Sequence, residues 1–525
     1  MRLQNQYFLF WVLIYDFTFV FVFVRRLKHK NGRTYVQVVE KLSGKYKVLK
    51  SFGSAQSPMD LDALVEKATR WINKTKGSVE IDFNNESALF EGVLNNITAL
   101  KLIGVELVLG KIFDEIGFNQ IEDELFRDLV LYRLVYPKSK LKTTEYLYRY
   151  QQKSYSEDDI YRYMDKLYNS KKDMVQQISF EHTKDLLGGK ISVVFYDVTT
   201  VYFEIDNEDN LRKTGFSKEG KHQNPQIILG LLVGKQGYPL AYDVFEGNKF
   251  EGHTMLPIIN SFKDKYGLDQ LVIVADSGLL SNQNIVELQK GDYEFILGAR
   301  IKREPQWMKE KILALDLNNG ESKILKKGNL KLIVTYSESR AKKDQHNREK
   351  GLKRLEKRVK SGKLTKSSIN NRGYNKYLKL EGEINVTIDK EKYEQDSKWD
   401  GLKGYITNAN LKKDEVLDNY QHLWRIEKAF RVAKTDLKIR PVFHRKQKRI
   451  EAHICLTFTA YKVYKELERQ LKEKKSNLSP EKVIEIIQSI YQIQITTPTT
   501  KEIIKRNLLL TDEHKALNEL FQFGC

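Results

Sequence analysis

The sequence predicts an α/β protein in which a mixed β-sheet carries helices on both faces, with a helical domain before the sheet and a β-containing basic insertion that interrupts it. Residues 191–300 contain short apolar runs bounded by Gly, Pro or Asn, which first follow one another directly and then alternate with helical patterns. Residues 86–187 have apolar side chains at helical spacing. Residues 301–403 are the basic insertion, and they separate the first part of the α/β pattern from a second part at 404–466.

Composition limits the classes of protein that fit. With 525 residues, the chain is long enough for three or four units at roughly 100–200 residues per domain. Its 41% hydrophobic and 11% aromatic residues exclude wholesale disorder, and two cysteines cannot form a disulfide framework or a four-thiolate zinc site. A reducing, cytoplasmic environment fits this cysteine content. The net charge of +20 indicates a polyanionic partner, and nucleic acid is the commonest large polyanion in a cell.

The chain begins with an apolar extension, residues 1–24. Its run over residues 7–24 has Asp16 as the single charge and would span about 27 Å as a helix, just short of the roughly 30 Å membrane core. A membrane anchor is one interpretation, and a start codon assigned too far upstream is another. Residues 17–24 are β-branched and aromatic rather than leucine-rich, which argues against the anchor. The alternating runs that follow predict a small β unit within residues 25–75.

The next segment, residues 86–187, is predicted to be a helical domain. Apolar side chains recur three and four positions apart near its start, at Leu89, Phe90, Val93 and Leu94. Further along, Ser156 and Asp159 form the capping-box pattern that begins a helix. At the other end of the chain, we expect residues 467–525 to form a helical tail.

Residues 190–300 carry the most informative pattern. The apolar runs that read as strands are 191–198, 201–205, 225–234, 239–246, 271–276 and 293–299, with helical patterns at 254–266 and 282–289. We interpret their order as strand, strand, strand, helix, strand, helix, strand. Strands that first pair antiparallel and are then reached through helices make a mixed sheet, and this is the succession of a ribonuclease-H-like fold.

Two carboxylates lie in apolar strands of this pattern. Asp197 is in the first strand, and Asp276 ends the central one just before Ser277 and Gly278. Burying an ionised carboxylate is costly without a cation or a donor, so acids at such positions are candidate metal ligands. The alternative for either residue is a cap of a turn or of the following helix, and for Asp276 alone this is the better interpretation. The pair on predicted neighbouring strands favours the metal site.

A third acid completes the predicted set. Tyr420, Glu427 and Lys434 are spaced by seven, which places them on one face of a continuous helix. Three side chains aligned in this way could contact a phosphate, a metal ion and a second phosphate, respectively. The alternative is an ordinary amphipathic helix with a solvated Glu427, and spacing alone does not exclude it.

Several motifs in this order resemble those of a known family. They are residues 197–204 (DVTTVYFE), 225–233 (PQIILGLLV), 245–248 (FEGN), 274–276 (VAD), 424–427 (WRIE) and 440–444 (RPVFH). Over about residues 25–466 the chain is similar to DDE transposases of bacterial insertion sequences, in the branch with the Y-x2-R-x3-E-x6-K signature. One position departs from the signature, because Leu423 occupies the arginine slot and Arg425 lies two positions away. The phosphate contact of that arginine would therefore be missing in this chain or made by another residue.

The resemblance implies a triad of Asp197, Asp276 and Glu427 that binds two Mg²⁺ ions, for which Mn²⁺ would substitute. One ion would activate water or a 3′-hydroxyl, and the other would stabilise the leaving oxygen. Hydrolysis would free the 3′ end of the element, which would then be joined to target DNA. The implied partners are double-stranded DNA and a second copy of the chain in a homodimer, in the bacterial cytoplasm in association with the nucleoid.

The resemblance also implies contacts to DNA. Tyr420 and Lys434 would contact the transposon end, and residues 86–187 would either bind that end or serve as a scaffold. The full predicted set of DNA-binding side chains is Tyr420, Arg425, Arg431, Lys434, Arg445, Lys446, Lys448 and Arg449.

The excess positive charge is concentrated in two segments. Residues 340–379, predicted to be basic helix and loop, have 15 Lys or Arg against 3 Asp or Glu, and residues 440–449 have 5 basic residues and no acid. These segments hold +17 of the net +20, so the remaining chain is nearly neutral. Duplex DNA carries a charge about every 1.7 Å, so we expect strongly salt-dependent binding.

Other functions remain open on the sequence alone. They are an inactive DNA-binding protein of transposase descent, a nuclease of the same fold without strand transfer, and a membrane-attached protein. Residues 215–221 nearly match a phosphate-binding loop, but His222 replaces the required Ser or Thr, which excludes nucleotide binding. His444, His453 and Cys455 fit no common zinc spacing, so core or surface histidine is the better interpretation.

Overall fold

The computed structural model describes residues 21–523, apart from 31, 43, 76–85, 206, 218–219, 269, 363, 365, 371–372, 382–384 and 498–499. The chain divides into two compact units. The first comprises the described residues as far as Ala99 together with Gln494–Lys505, and the second comprises Leu100–Ile493 with the residues from Arg506 onward. None of the helices in the described ranges is long and apolar enough to cross a membrane.

The first unit begins with three antiparallel strands, β1 (Phe21–Lys28), β2 (Thr34–Leu42) and β3 (Lys45–Ala55). Two helices follow, α1 (Pro58–Thr75) and α2 (Glu86–Asn95). Val36 and Val38 alternate inward from β2 and pack with Ala68 of α1. The segment predicted as a small β unit thus contains three strands and the helix α1. Most of the apolar run at residues 7–24 lies outside the described residues, and its last four residues are in β1.

The boundary between the two units falls within β4 (Ile97–Leu102). Five α-helices follow this strand in the second unit. These are α3 (Lys111–Ile116), α4 (Glu124–Val135), α5 (Lys140–Gln151), α6 (Glu157–Ser170) and α7 (Lys172–Leu186). The capping box predicted at the start of α6 is present, because the Ser156 and Asp159 side chains each accept a backbone N–H of the other residue. Residues 111–186 are thus mainly helical, and the segment predicted as a helical domain also contains the strand β4.

A run of strands and helices follows in the predicted order. It consists of β5 (Val193–Tyr202), β6 (Gln226–Gly234), β7 (Pro239–Glu246), α8 (Met255–Tyr266), β8 (Val272–Ala275), α9 (Asn282–Lys290) and β9 (Glu294–Ala299). The neighbouring runs at 191–198 and 201–205 give one strand rather than two. They merge into β5, because the two residues between them are the β-branched Thr199 and Thr200, which suit an extended chain.

The insertion contributes to the same sheet. It contains α10 (Gln306–Leu313), β10 (Ser322–Lys327), β11 (Leu330–Tyr336), α11 (Glu338–Lys360), β12 (Leu378–Glu381), β13 (Asn385–Ile388) and α12 (Lys390–Ser397), and β14 (Leu402–Thr407) then returns to the sheet. Strand β11 pairs with both β10 and β14, so these insertion strands extend the central sheet. The basic segment 340–379 is mostly the helix α11 followed by loop and short 3₁₀ turns, as predicted.

Three helices complete the core, α13 (Lys413–Gln421), α14 (Trp424–Thr435) and α15 (Gln447–Glu473). The sheet has eight strands in the order β10-β11-β14-β9-β8-β5-β6-β7, and the pairs β5–β8 and β8–β9 are parallel. Phe195 and Val201 of β5 face a core that includes α14 and α15, while Val194 and Tyr196 face a core that includes α8. The prediction of a mixed sheet with helices on both faces is confirmed.

The C-terminal segment contains α16 (Pro480–Ile487), β15 (Tyr491–Thr496), β16 (Ile503–Leu508) and α17 (Asp512–Phe521). Strand β15 lies between β4 and β16 in a three-stranded sheet. The expectation of an all-helical tail is therefore wrong for these two strands. Their alternation of apolar with polar residues, as in Ile493-Gln494-Ile495, suits a strand.

Candidate active site

The strand register brings Asp197 and Asp276 together. In the parallel pair β5–β8, Tyr196 lies opposite Ala275, so the next positions along the two chains are Asp197 and Asp276. Paired residues of neighbouring strands point to the same face of a sheet. Asp197 is half-buried, and its Oδ1 accepts the N–H of Val198 at 2.8 Å, whereas Asp276 is exposed. The Asp276 side chain makes no capping bond to the short helical turn after it, which removes the cap interpretation for this residue.

Tyr420 is buried and reaches Asp276 from α13. Its hydroxyl donates to Asp276 Oδ1 at 3.2 Å, and its ring packs edge-on against Tyr405 of β14 with 4.6 Å between centroids. Burial, and next the negative charge of Asp276, raise the pKa of Tyr420 well above its ordinary value, so the hydroxyl remains a donor. Tyr420 therefore holds the Asp276 carboxylate in place.

A glycine on β9 makes room for this contact. A Cβ atom at Gly298 would lie 2.5 Å from the Tyr420 hydroxyl and 2.9 Å from the backbone nitrogen of Ser277. Arg300, two residues further on, donates to the carbonyls of Ser277 at 2.9 Å and Gly278 at 3.1 Å. Strand β9 thus leaves space for the tyrosine and fixes the loop that follows Asp276.

The helix that carries the third acid is not continuous. Helix α13 ends at Gln421 and α14 begins at Trp424, so Tyr420 is on one helix while Glu427 and Lys434 are on the next. The prediction of one helical face for all three residues is wrong in this respect. Leu423 is the buried N-cap of α14, and Leu423 N–H bonds to the Tyr420 carbonyl three residues back, which tightens the turn at the junction. The apolar side chain of Leu423 therefore fills a buried junction between α13 and α14.

Glu427 is exposed on α14, a helix that packs against β5. Lys403 of β14 lies near Glu427, and the charges around this lysine affect its pKa. Burial and then the charge of Arg340 lower this pKa, while Asp276 and Glu427 oppose the shift, so both carboxylates lie near the Lys403 ammonium. The ammonium is also 4.6 Å from the centre of the Tyr420 ring. We call Asp197, Asp276 and Glu427 the acidic edge.

The donor types of the acidic edge suit a hard divalent cation, because Mg²⁺ and Mn²⁺ prefer carboxylate oxygens. The register of Asp197 and Asp276 supplies two such ligands side by side. Over the described residues, however, no three acidic, histidine or cysteine side chains come close enough together to form a metal site. The residues thus fit the metal in chemistry, and Glu427 would have to approach the aspartates to complete the set.

The predicted DNA-binding residues fall into two groups. Arg431, Arg445, Lys446 and Lys448 are exposed, and Lys434 is half-buried near the end of α14. Two other arginines have protein partners instead. Arg425 donates to the carbonyl of Lys235 at 2.7 Å, in the turn between β6 and β7. Arg449 makes a two-pronged ion pair with Asp165 of α6, at 2.9 and 3.0 Å.

Three residues of the site could not be identified from the spacing of residues in the sequence. Lys403, Gly298 and Arg300 contact or neighbour the acidic edge only through the fold. Lys403 follows Asp276 by more than a hundred residues and lies in a strand that joins the sheet after the insertion. Only the pairing of β14 with β9 brings it near the acids.

Comparison with known proteins identifies the family of this chain. Residues 188–462, about half of the chain, match the family described as the transposase DDE domain. The chain belongs to this family. A transposase DDE domain implies an enzyme that cuts and moves DNA, and such domains generally use divalent metal ions. No match was found among curated proteins.

Two solved structures are similar in part. One is the piggyBac transposase synaptic complex with hairpin DNA, with 9% identity, coverage of 76% of this chain and 79% of that chain, and a TM-score of 0.36. The other is the Mos1 transposase paired-end complex with the left transposon end, with 10% identity, coverage of 30% and 53%, and a TM-score of 0.15. At these TM-scores, the assignment rests on the family match.

Proposed function

We propose that this protein is a transposase that binds the terminal repeats of an insertion sequence, cleaves DNA there and joins the 3′ ends to target DNA. The observation that carries the proposal is the register of β5 with β8, which sets Asp197 beside Asp276 within the matched family domain. The mixed eight-stranded sheet with helices on both faces supports a ribonuclease-H-like assignment.

In this proposal Asp197, Asp276 and Glu427 hold two Mg²⁺ ions, or Mn²⁺ in their place. Bound divalent ions would supply a nucleophile at neutral pH and stabilise the leaving oxygen of an in-line displacement at phosphorus. The chain's own side chains have separate tasks. Tyr420 positions Asp276 through its hydrogen bond, and Lys403 offers a cation beside Asp276 and Glu427 that suits an incoming phosphate.

The same proposal assigns the DNA contacts and the assembly. The exposed Arg431, Arg445, Lys446 and Lys448, with Lys434, contact the phosphates of double-stranded DNA. Arg425 and Arg449 belong to this set only if DNA displaces their protein partners. A homodimer bridges the two ends of the element, and the protein works in the bacterial cytoplasm in association with the nucleoid.

The test uses purified full-length protein, Mg²⁺ or Mn²⁺, and duplex DNA that carries the inverted repeats flanking the gene. We expect cleaved and joined products from the wild-type protein, whereas Asp276→Ala should bind the repeat DNA with unchanged affinity and leave it uncut. Nicked DNA without joined products would instead identify a nuclease of the same fold. Unimpaired cleavage by Asp276→Ala would overturn the assignment of the acids.

A further inference from the structure

Four side chains with basic groups lie away from the acidic edge, in the second unit. They are Arg133 of α4, Lys140 at the first position of α5, His444 in the loop before α15, and His453 of α15, and we call them the basic cluster. Arg133, His444 and His453 are in contact, and the charge of Lys140 acts on the pKa of both histidines. The His444 and His453 rings are 5.3 Å apart, and Arg133 Nη2 lies 3.1 Å from His453 Nε2. Helices α4 and α5 thus bring the positive charges of Arg133 and Lys140 to one place, beside the neutral rings of His444 and His453.

The cluster is buried and lacks a negative partner. Arg133 and Lys140 are each 7% exposed. Arg133 donates to the carbonyl of Lys438 at 2.7 Å, but its Nε has no partner among the described residues. Within the same part of the chain, the Lys140 side chain has no hydrogen-bond or ion-pair partner. The unpaired Nε of Arg133 is fully buried, and an unpaired buried cationic group is costly because it loses water without gaining an acceptor.

The acids nearby are already engaged. Helix α6 approaches the cluster through Tyr161, whose ring is 6.0 Å from His444. On that helix Glu157 accepts the Tyr161 hydroxyl at 2.8 Å, and Asp165 is paired with Arg449. Burial, and then the charge of Arg133, lower the pKa of Lys140 to about 7, and no carboxylate opposes this shift. The same surroundings lower the pKa of His444 to about 3, first through burial and then through Lys140 and Arg133.

We propose that the basic cluster is a phosphate-binding site, in which Lys140 and Arg133 supply the charge and the N-terminus of α5 supplies backbone N–H groups. Helix α5 has 12 residues, and Lys140 is its first. A phosphate suits this place because it brings negative charge and several acceptors to a donor-rich cluster. The neighbouring loop carries the exposed Arg445 and Lys446, which favours a phosphate of a DNA strand as the source.

The site is testable without any transposition assay. Thermal unfolding of the full chain is followed with increasing inorganic phosphate, at constant ionic strength set by chloride. We expect phosphate to raise the unfolding midpoint of the wild-type protein by about 2–4 °C. The same rise is expected for Lys142→Met, a control on the same helix whose lysine is partly exposed and paired with Glu145. Lys140→Met should show no phosphate-dependent rise, and Lys140→Arg should keep it.

A second measurement identifies the source of the phosphate. Binding of a generic DNA duplex is measured by fluorescence anisotropy over a range of salt concentrations. If the cluster takes a DNA phosphate, Lys140→Met should reduce the slope of log affinity against log salt by about 1, with Lys142→Met unchanged. If Lys140→Met loses the phosphate-dependent rise but keeps the wild-type salt slope, the site binds free phosphate rather than a DNA phosphate.

The proposal is overturned if Lys140→Met keeps the full phosphate-dependent rise. It is equally overturned if the wild-type protein shows no rise and Lys140→Met keeps the wild-type slope. The DNA source rests on the proposed function, but the phosphate titration needs neither metal nor terminal repeats. Failure of the transposase and failure of the phosphate site are therefore distinguishable.

Discussion

The acidic edge and the two cations of the basic cluster, Arg133 and Lys140, lie in the same unit and differ in their access to water. Asp276 and Glu427 are exposed and have the Lys403 ammonium nearby. Arg133 and Lys140 are buried without a carboxylate. The acidic edge is open to solvent and to a cation, whereas burial makes the charges of Arg133 and Lys140 costly until an anion pairs with them. The two sites therefore differ in burial rather than in the number of charges. The exposed acidic edge is open to a ligand without a desolvation cost, whereas the buried basic cluster destabilises the fold when no anion is bound.

The loop beside the basic cluster also has exposed cations, which can be compared with the buried ones. Their replacement is expected to have the largest effect on DNA binding. Replacing Arg445, Lys446 and Lys448 together by Gln should lower DNA affinity at 0.1 M salt by on the order of 100-fold, because the variant neutralises about three fewer phosphates. The slope of log affinity against log salt should fall by about 2.7. Salt-dependent anisotropy with a DNA duplex measures both quantities.

Arg449→Gln is the matched control, because Arg449 belongs to the same basic segment but is paired with Asp165. We expect it to leave the salt slope unchanged and to lower the free energy of unfolding by about 1–2 kcal/mol through removal of a charge-assisted pair. If Arg449→Gln lowered the slope as much as each exposed residue does, burial and pairing would not be what separates the two kinds of arginine.

The acidic edge depends on Tyr420, and this dependence predicts the next largest effect. Tyr420→Phe keeps the ring that packs on Tyr405 and removes the hydrogen bond to Asp276. Cleavage should slow about tenfold, since a hydrogen bond to a charged group contributes roughly 1.5 kcal/mol. The rate is measured under single-turnover conditions. Tyr405→Phe, which alters the neighbouring ring without touching Asp276, should cleave at the wild-type rate, and an equal decrease in both variants would rule out the hydrogen bond as the cause.

The basic cluster predicts the smallest effect, a pH dependence of stability. The pKa of Lys140 is lowered from an ordinary 10.5 to about 7, so between these values the unfolded chain binds more protons than the folded one. Stability should therefore rise with pH, by about 1 kcal/mol per unit between pH 7 and 8.5 in phosphate-free buffer. Arg133 and Arg449 stay charged in this range, while His444 and His453 stay neutral, because burial lowers the pKa of both rings.

Denaturant unfolding at each pH, with Lys140→Met beside the wild-type protein, measures this slope. The variant should be more stable at pH 7 and should lose the slope. A wild-type slope that persists in Lys140→Met would have to come from another group, and the contrast between the exposed and the buried cluster would then fail.

Sequence patterns predicted the central sheet because local signals and the fold agree there. Asp197 and Asp276 lie in apolar runs bounded by turn residues. The first run is part of β5, and the second forms β8, which ends one residue before Asp276. The sequence did not predict the break between α13 and α14, because no Gly or Pro marks it. The residue at the break, Leu423, is apolar and buried, as it would be in a continuous helix. The strands of the C-terminal segment were missed because each is short and polar on one side.

The remaining site residues could not have been found from spacing. Lys403 reaches the acidic edge through a strand that pairs across the insertion, and the basic cluster joins Arg133 and Lys140 to residues more than three hundred positions later. Such contacts depend on strand order and helix packing, which no local pattern encodes. His453, interpreted from the sequence as a core or surface histidine, is buried against Arg133.

The most direct test of the central claim, that the acidic edge binds the catalytic metal, is a change of metal preference. Asp276→Cys replaces a hard oxygen ligand by a softer sulfur, with Asp264→Cys on α8 as an exposed control away from the site. Cleavage of terminal-repeat DNA is compared in Mg²⁺ and in Mn²⁺. We predict that Asp276→Cys is inactive with Mg²⁺ and regains activity with Mn²⁺, while Asp264→Cys cleaves with both. Wild-type cleavage by Asp276→Cys in Mg²⁺ would contradict the account.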